Sequence, residues 1–403
     1  MWHSGGRGRT FGVLLLATLL PACRPAHTAH AEPTKGLWIS CIGKKEIFSG
    51  PAAIEEAISF AKKGGFSELF VQVYRGDKAW FDSEIADALP FRQNRSRLGA
   101  DPFHLLIDRA HGAGLQVHAW INTLTLSQNK EAPLLKRFGE QILTRDQHGR
   151  SALKSKPAEP LDTYYDREDQ LFLEPGDPRV QQHVIRIVRE LVKEYPILDG
   201  IHFDYLRYPA APPYIPGSRF NSVGLSYGYG KQNAERFQRT TGIDPKKVDW
   251  KVGDSQVWDQ WKRDQVTDLL RQASAEARKE NPRIQISCAV IPTMDRAYHA
   301  AGQDWAKWIE EGIVDFVVLM NYSIDSRWVN LASRSALGAV GSPENVAIGL
   351  GAHLMGRKPE LLREQMQQAL ALQPRGIILF DYASLAGSPL QELFEPSSAG
   401  EGR

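Results

Sequence analysis

Cysteine is scarce in this chain: Cys23, Cys41 and Cys288 are the only three in 403 residues. A disulfide framework is therefore excluded as the basis of the fold. Cys41 and Cys288 leave room for one bond at most. Each sits in an apolar, strand-like run (Leu37 to Ile42 and Ile284 to Ile291), so two buried thiols are expected instead. The 11 histidines are scattered and none combines with cysteine at the spacing of a zinc site, so neither a structural metal nor another cofactor is expected. Surplus charge is missing too. Lysine and arginine number 49 against 47 acids, and Arg7 and Arg9 precede any acid, so from residue 23 onward 49 − 2 leaves 47 basic against 47 acidic residues. A chain without a basic stripe is a poor match for nucleic acid, which is held through its phosphates. No apolar run reaches the roughly 20 residues that a membrane-spanning helix needs.

What the N-terminus does carry is a targeting pattern. Arg7 and Arg9 form a positive start, Phe11 to Leu20 an apolar stretch, and Leu20-Pro-Ala-Cys23 follows. A small residue before a cysteine fits a bacterial lipoprotein cleavage box. Residues 1–22 then read as a signal peptide, Cys23 as the lipidated residue and 23–34 as a flexible tether. Several acyl chains on one cysteine suffice for stable membrane anchoring. Plain secretion with cleavage near Ala29 or Ala31 is the competing reading. Arg24 lacks the character of an inner-membrane retention signal, so the expected location is the cell envelope, on the periplasmic face of the outer membrane in a Gram-negative host.

Beyond residue 35, apolar runs alternate with amphipathic helices. The runs are Gly36–Cys41, Glu68–Val73, Gln116–Ile121, Gly200–Tyr205, Gln285–Val290, Asp315–Asn321, Val346–Gly351 and Gly376–Asp381. They are continuous rather than alternating, as parallel strands buried on both faces are. Eight of them interleaved with helices predict a (β/α)8 barrel over residues 35–390, with a disordered tail at 391–403. Asp101-Pro102 and Asp177-Pro178 each place a capping acid before a proline at the first helical position. Two connections, 122–175 and 206–255, are too long for simple turns. They flank strand four and read as the walls of a cleft.

The segment Asp199-Gly-Ile-His-Phe-Asp204-Tyr205-Leu-Arg207-Tyr-Pro209 stands at that point. In a parallel barrel, chemistry is placed at the carboxyl ends of the strands. A carboxylate there, ringed by Tyr205, Arg207 and Tyr208, suits the floor of a sugar site. The plainer reading is a loop carboxylate held by Arg207.

The motifs in order resemble a known family. They are Gly36-Leu-Trp38-Ile39, Phe70-Val-Gln-Val73 with Gly76-Asp77, Gly114-Leu-Gln-Val-His118-Ala-Trp120-Ile-Asn122, Pro175-Gly-Asp-Pro-Arg-Val180, the segment above, and Asp304-Trp-Ala-Lys-Trp308. Together they are similar to the bacterial glycosyl-hydrolase-like family ten, over roughly residues 35 to 386. That family includes lipoproteins and a cell-division glycanase acting on peptidoglycan stripped of stem peptides. The resemblance implies a (β/α)8 barrel and hydrolysis of glycosidic bonds. Two positions depart from the family pattern: Tyr205 stands where a second acid often follows the strand-four aspartate, and Glu174 where Asn or Asp is usual. The chitinase motif Asp-Gly-x-Asp-x-Asp-x-Glu, laid on residues 199–206, meets His202 and Leu206, so its general acid is lacking.

Glycoside hydrolysis ordinarily needs two carboxyls. Asp204 is the leading nucleophile or base. Asp77, Asp381, Asp295 and Glu174 are candidates for its partner, and Asp325 is a further strand-end acid. Aromatic rings at strand ends suit stacking against sugars: Trp38, Trp80, Trp120, Tyr205, Tyr322, Trp328 and Tyr382, about half of them expected to pack the barrel top. Asn122, Asn321, Arg207 and His353 are candidate hydroxyl or acetamido contacts. Trp258, Trp261, Trp305 and Trp308 keep helical spacing and read as core. The function expected is a membrane-anchored hydrolase of cell-wall glycan. A non-catalytic glycan-binding lipoprotein and a hydrolase of extracellular polysaccharide are the alternatives.

Overall fold

Eight parallel strands close on themselves in the computed structural model, which describes residues 32–157, 159, 167–210, 225–248 and 253–395. They are β1 (Thr34–Ile39), β2 (Glu68–Arg75), β3 (Gln116–Asn122), β4 (Gly200–Asp204), β5 (Gln285–Val290), β6 (Phe316–Asn321), β7 (Val346–Gly351) and β8 (Gly376–Phe380). Each pairs in parallel with the next, and β8 returns to β1 through Thr34↔Gly376 to Leu37↔Leu379. This is the (β/α)8 barrel that the eight apolar runs predict. The helices form as their caps dictate. The Asp101 side chain accepts from the Phe103 and His104 amides at 2.9 Å, starting Pro102–Gly112. Asp177 does the same for Pro178–Glu194, which buries Val180, Val184, Ile187, Val188 and Leu191 on one face.

Two cores result. A large one lies between strands and helices. A smaller one fills the barrel with Trp38, Phe70, Trp120, Phe316, Val318, Ala347 and Ile378, the inward layers that such a barrel requires. Space for the rings comes from glycines facing inward. A Cβ at Gly349 would stand 2.9 Å from the Trp38 ring, and one at Gly200 would stand 2.1 Å from His118 Nδ1. His118 and His202 point inward, His202 accepting from the Trp38 indole. Burial pushes the His118 imidazole down to about 4, so it serves as a neutral ring stacked on Phe70 at 4.7 Å. At the barrel base, Arg375 pairs with both Glu68 oxygens at 2.6 and 2.9 Å and lies 3.6 Å from the Phe316 ring centre. Burial alone would raise the Glu68 carboxyl, but the hydrogen bonds and charge of Arg375 hold it below the usual range.

The two long insertions are knotted together by one buried carboxyl. Glu174 Oε1 accepts from Tyr208 Oη at 3.1 Å and the Gly176 amide at 3.3 Å, and Oε2 accepts from the Gly230 amide at 3.1 Å. Those donors come from both sides of β4. Burial pushes Glu174 up to about 6, against the partial pull of hydrogen bonds from Thr144, Gly176, Gly230 and Tyr208.

The unit beginning at Pro33 keeps its order to the last described residue. Pro389–Phe394 is a 3₁₀ turn with Leu390 and Phe394 buried, Phe394 lying 5.3 Å from the Phe66 ring. Thr34, placed in the tether by the sequence reading, is paired in β1, and Leu390 and Phe394 pack against the barrel unit. The leader, Cys23 and residues 396–403 lie outside the described residues. Among the described residues no helix is long and apolar enough to cross a membrane. Cys41 and Cys288 are both free and buried, as the apolar runs around them predict.

Two stability experiments follow from these buried charges. Arg375→Met, which strands Glu68 in the barrel base, lowers unfolding free energy by about 3–5 kcal/mol, and adding Glu68→Gln recovers most of that loss in urea titrations. For Glu174, a folded pKa raised from 4.5 to about 6 contributes stability that is complete below pH 4.5 and disappears as pH rises through about 6. The difference is on the order of 2 kcal/mol. Wild type measured at pH 4.5 and pH 7 shows this loss, while Glu174→Gln lacks it; equal pH dependence in the two proteins contradicts the assignment.

Candidate active site

Asp204 is the last residue of β4, beside Asn122 of β3. Inward and outward side chains alternate along a strand, so Asp204 shares the inward face with His202 one layer below. Its carboxyl accepts from two fixed donors: Trp120 Nε1 reaches Oδ2 at 3.1 Å and the Tyr205 amide reaches Oδ1 at 2.7 Å. The Tyr205 backbone turns through φ 52°, a left-handed value that a tyrosine seldom adopts. Only 7% of Asp204 is exposed. Burial raises its pKa above the ordinary carboxylate value, and the Tyr205 amide, the charges of Arg207 and Arg75, and the Trp120 indole offset this only in part.

Arg207 is not the ion-pair partner of Asp204 that the plainer sequence reading supposes. Its guanidinium forks onto Glu168, with Nη1–Oε1 at 2.7 Å and Nη2–Oε2 at 3.1 Å, and lies 4.9 Å from the Tyr205 ring centre. The Ala210 amide adds a third donor to Glu168 at 2.6 Å. Two fork bonds of this kind outweigh a longer-range attraction. Asp204 therefore keeps a carboxyl that feels Arg207 without being clamped by it.

Above β4, β5 and β6 opens a cleft of about 650 Å³, lined among others by Glu168, Arg207, Asp295, Asn321, Tyr322 and Trp328. Asp204 lies beside this lining rather than in it, next to Arg207 and Tyr322. Burial and the charges of Asp204, Asp381 and Tyr205 push the Tyr322 phenol well up, so its hydroxyl stays protonated over the mouth. A larger cavity of about 850 Å³ lies away from the strand ends, between residues 140–149 and the helix Lys231–Thr241. It contains none of the candidate site residues.

The other candidates divide sharply. Asp295, Asn321, Tyr322 and Trp328 gather at the cleft. Asn321 is anchored through Nδ2 to Val329 O at 2.9 Å and Ser333 Oγ at 3.0 Å. His353 is exposed at the rim, 5.5 Å from the Tyr322 ring. Asn122 is buried beneath, accepting from Gln72 Nε2 at 3.1 Å. Asp381 caps the turn Tyr382–Leu385 and accepts from Ser40 Oγ at 3.4 Å.

Several expectations need correcting. Asp77 is fully buried: its oxygens accept from Tyr74 Oη at 3.0 Å and the Leu134 amide at 2.8 Å, with His183 Nε2 at 2.9 Å, so it anchors loops instead of facing a ligand. Glu174 is closed off in its knot. Trp38 belongs to the barrel filling, its indole donating to His202 Nε2 at 3.2 Å. Trp80 is buried in the outer core. Tyr382 points away from the mouth onto Phe60, 5.5 Å between ring centres. Sequence reasoning missed two residues, Glu168 and Arg75. Glu168 sits in the charged run Asp166-Arg-Glu-Asp169, where spacing distinguishes no acid from another. Among the described residues no group of three or more His, Cys, Asp or Glu side chains is placed to hold a metal.

The geometry agrees with what the chain resembles. Among solved structures, the glycoside hydrolase domain of PgaB (BpsB) from Bordetella bronchiseptica superposes with TM-score 0.65 at 16% identity, covering 91% of this chain and 100% of that domain. The catalytic domain of a β-amylase from Paenibacillus polymyxa gives 0.55 at 13% identity, with 91% and 95% covered. These likenesses concern the fold. In sequence, glycosyl hydrolase DigH of Escherichia coli K12 is 23% identical over 335 residues, 74% of this chain and 67% of DigH. Glycosyl hydrolase YngK of Bacillus subtilis is 25% identical over 279 residues, 65% of this chain and 47% of YngK, so the chain spans less than half of that relative. The family model described as Glycosyl hydrolase-like 10 matches residues 33–347. With its motifs in order, its barrel closed and a buried carboxyl at the end of β4, the chain belongs to the glycosyl hydrolase-like 10 family.

Proposed function

We infer that this protein is a glycoside hydrolase of cell-wall glycan, tethered to the envelope through Cys23, and that Asp204 is its central carboxyl. The observation carrying this reading is the state of Asp204: buried at the end of β4, raised above the ordinary carboxylate value, and left unclamped because Arg207 is engaged by Glu168. A raised carboxyl suits proton donation to the leaving glycosidic oxygen better than the nucleophilic role expected from sequence. The second carboxyl is assigned to Asp295, which lines the cleft that Asp204 borders. Glu168 also lines it, but three donors occupy its oxygens. Asp204 protonates the bridging oxygen as the bond to the anomeric carbon breaks. Asp295 meets the developing positive charge, either directly or through a water that it deprotonates. Tyr322 and Trp328 supply the hydroxyl and the ring face against which a sugar is oriented. The apolar stretch and the Leu-Pro-Ala-Cys23 box support the anchor.

Peptide-free peptidoglycan strands incubated with wild type release shorter fragments, and Asp204→Asn slows that release by about 10²- to 10⁴-fold, the usual weight of a general acid. Binding of strands by both proteins with release by neither refutes hydrolysis and leaves a glycan-binding lipoprotein. Release from an unrelated polysaccharide and not from the strands moves the substrate outside the wall.

A further inference from the structure

Arg75, at the end of β2, has no ion pair and no side-chain hydrogen bond among the described residues, although it is half-buried. The arginines near the two ends of the barrel are paired, Arg207 with Glu168 and Arg375 with Glu68, whereas the Arg75 guanidinium stays within reach of water with no ion pair of its own. Its direction is set by an irregularity in β2. Gln72 stands opposite Trp120 and Tyr74 opposite Ile121, so Val73 is an extra residue and the alternation reverses there. Tyr74 accordingly turns outward to Asp77 and His183, and Arg75 turns over the mouth. Its charge acts on Asp204, two strands along the barrel, and on Cys41 just past the end of β1.

Among the described residues no carboxylate forms an ion pair with Arg75, and Asp204 feels its charge without bonding to it. Asp77 is occupied. The Cys41 thiol is pushed up by burial and hydrogen-bonded to Gln72 Oε1 at 3.2 Å. Gln72 and Asn122 are neutral amides bonded to each other. A planar fork of N–H donors poised beside a reactive carboxyl, with no acceptor among the described residues, matches a carboxylate presented by the ligand.

We propose that Arg75 binds a carboxylate on the sugar lying over Asp204, so that the preferred substrate is an acidic glycan. This rests on the hydrolase reading above and narrows it. Two sugar chemistries present such a group: a lactyl ether, free in peptidoglycan only where no stem peptide is attached, and a ring carboxylate of a uronic acid.

The test compares peptide-free peptidoglycan strands, the same strands with their carboxyls converted to methylamides, and a polyuronate. Wild type shows kcat/KM about 10- to 100-fold higher for the carboxylate form than for the amide, the span of a charge-assisted pair. Arg75→Gln abolishes the preference, Arg75→Lys retains part of it, and both variants melt as wild type does. Cleavage of the polyuronate alone assigns the group to a uronic acid; cleavage of the strands alone assigns it to the lactyl ether. Equal rates of wild type on free and amidated strands overturn the proposal, as does a preference that survives in Arg75→Gln. Should wild type cut none of the glycans, hydrolysis is refuted and Arg75 is judged by affinity. Tighter binding of the free carboxylates by wild type but not by Arg75→Gln sustains it, and indifference or lack of binding overturns it.

Discussion

The fork between Arg207 and Glu168 decides how the barrel mouth is charged. A guanidinium three residues beyond the strand-four aspartate has two carboxyls within its influence and can satisfy only one by two parallel hydrogen bonds. Because Glu168 comes from the preceding insertion and Arg207 from the exit of β4, the pairing also ties the two walls of the cleft. The remaining carboxyl, Asp204, is left in a dry setting with one indole and one amide as donors. Its affinity for a proton is therefore a property of loop packing as much as of the strand that carries it.

The insertions are held at a second point by Glu174, whose three donors belong to separate segments. The two acids do different work with similar chemistry. Glu168 is partnered by a charge and keeps contact with the cleft. Glu174 is partnered by dipoles alone, and burial raises it. The contrast explains why an acid placed just before a helix is no guide to catalysis: such a position can equally serve as a tie between loops.

The barrel was legible because strands covered on both faces must be apolar throughout, and eight such runs leave few alternatives. Asp204 was legible because its strand ends in a carboxylate between two long connections. Side-chain direction beyond a strand end was not. The extra residue at Val73 reverses the alternation of β2 and sends Arg75 to the mouth, where a period of two counted from Gln72 gives the opposite, while Asp77 lies beyond the strand in a left-handed turn that carries it into the loop packing. Trp38 was read as a ligand contact because aromatic rings suit both a sugar face and a barrel interior, and only the facing Gly349 shows which. Tyr382 follows Asp381 into a short helical turn and so faces outward, which no composition rule indicates. Glu168 required knowledge of where a distant loop folds back.

The left-handed turn at Tyr205 has its own consequence. A side chain there costs on the order of 1 kcal/mol that a glycine would not. Yet it is the ring of Tyr205 that stacks against Arg207, and its amide that fixes Asp204. Strain and packing are thus set against each other at a single backbone position. A glycine there would relieve the strain but forfeit the ring's contacts with Arg207 and Phe172, loosening the turn that holds the reactive carboxyl in place.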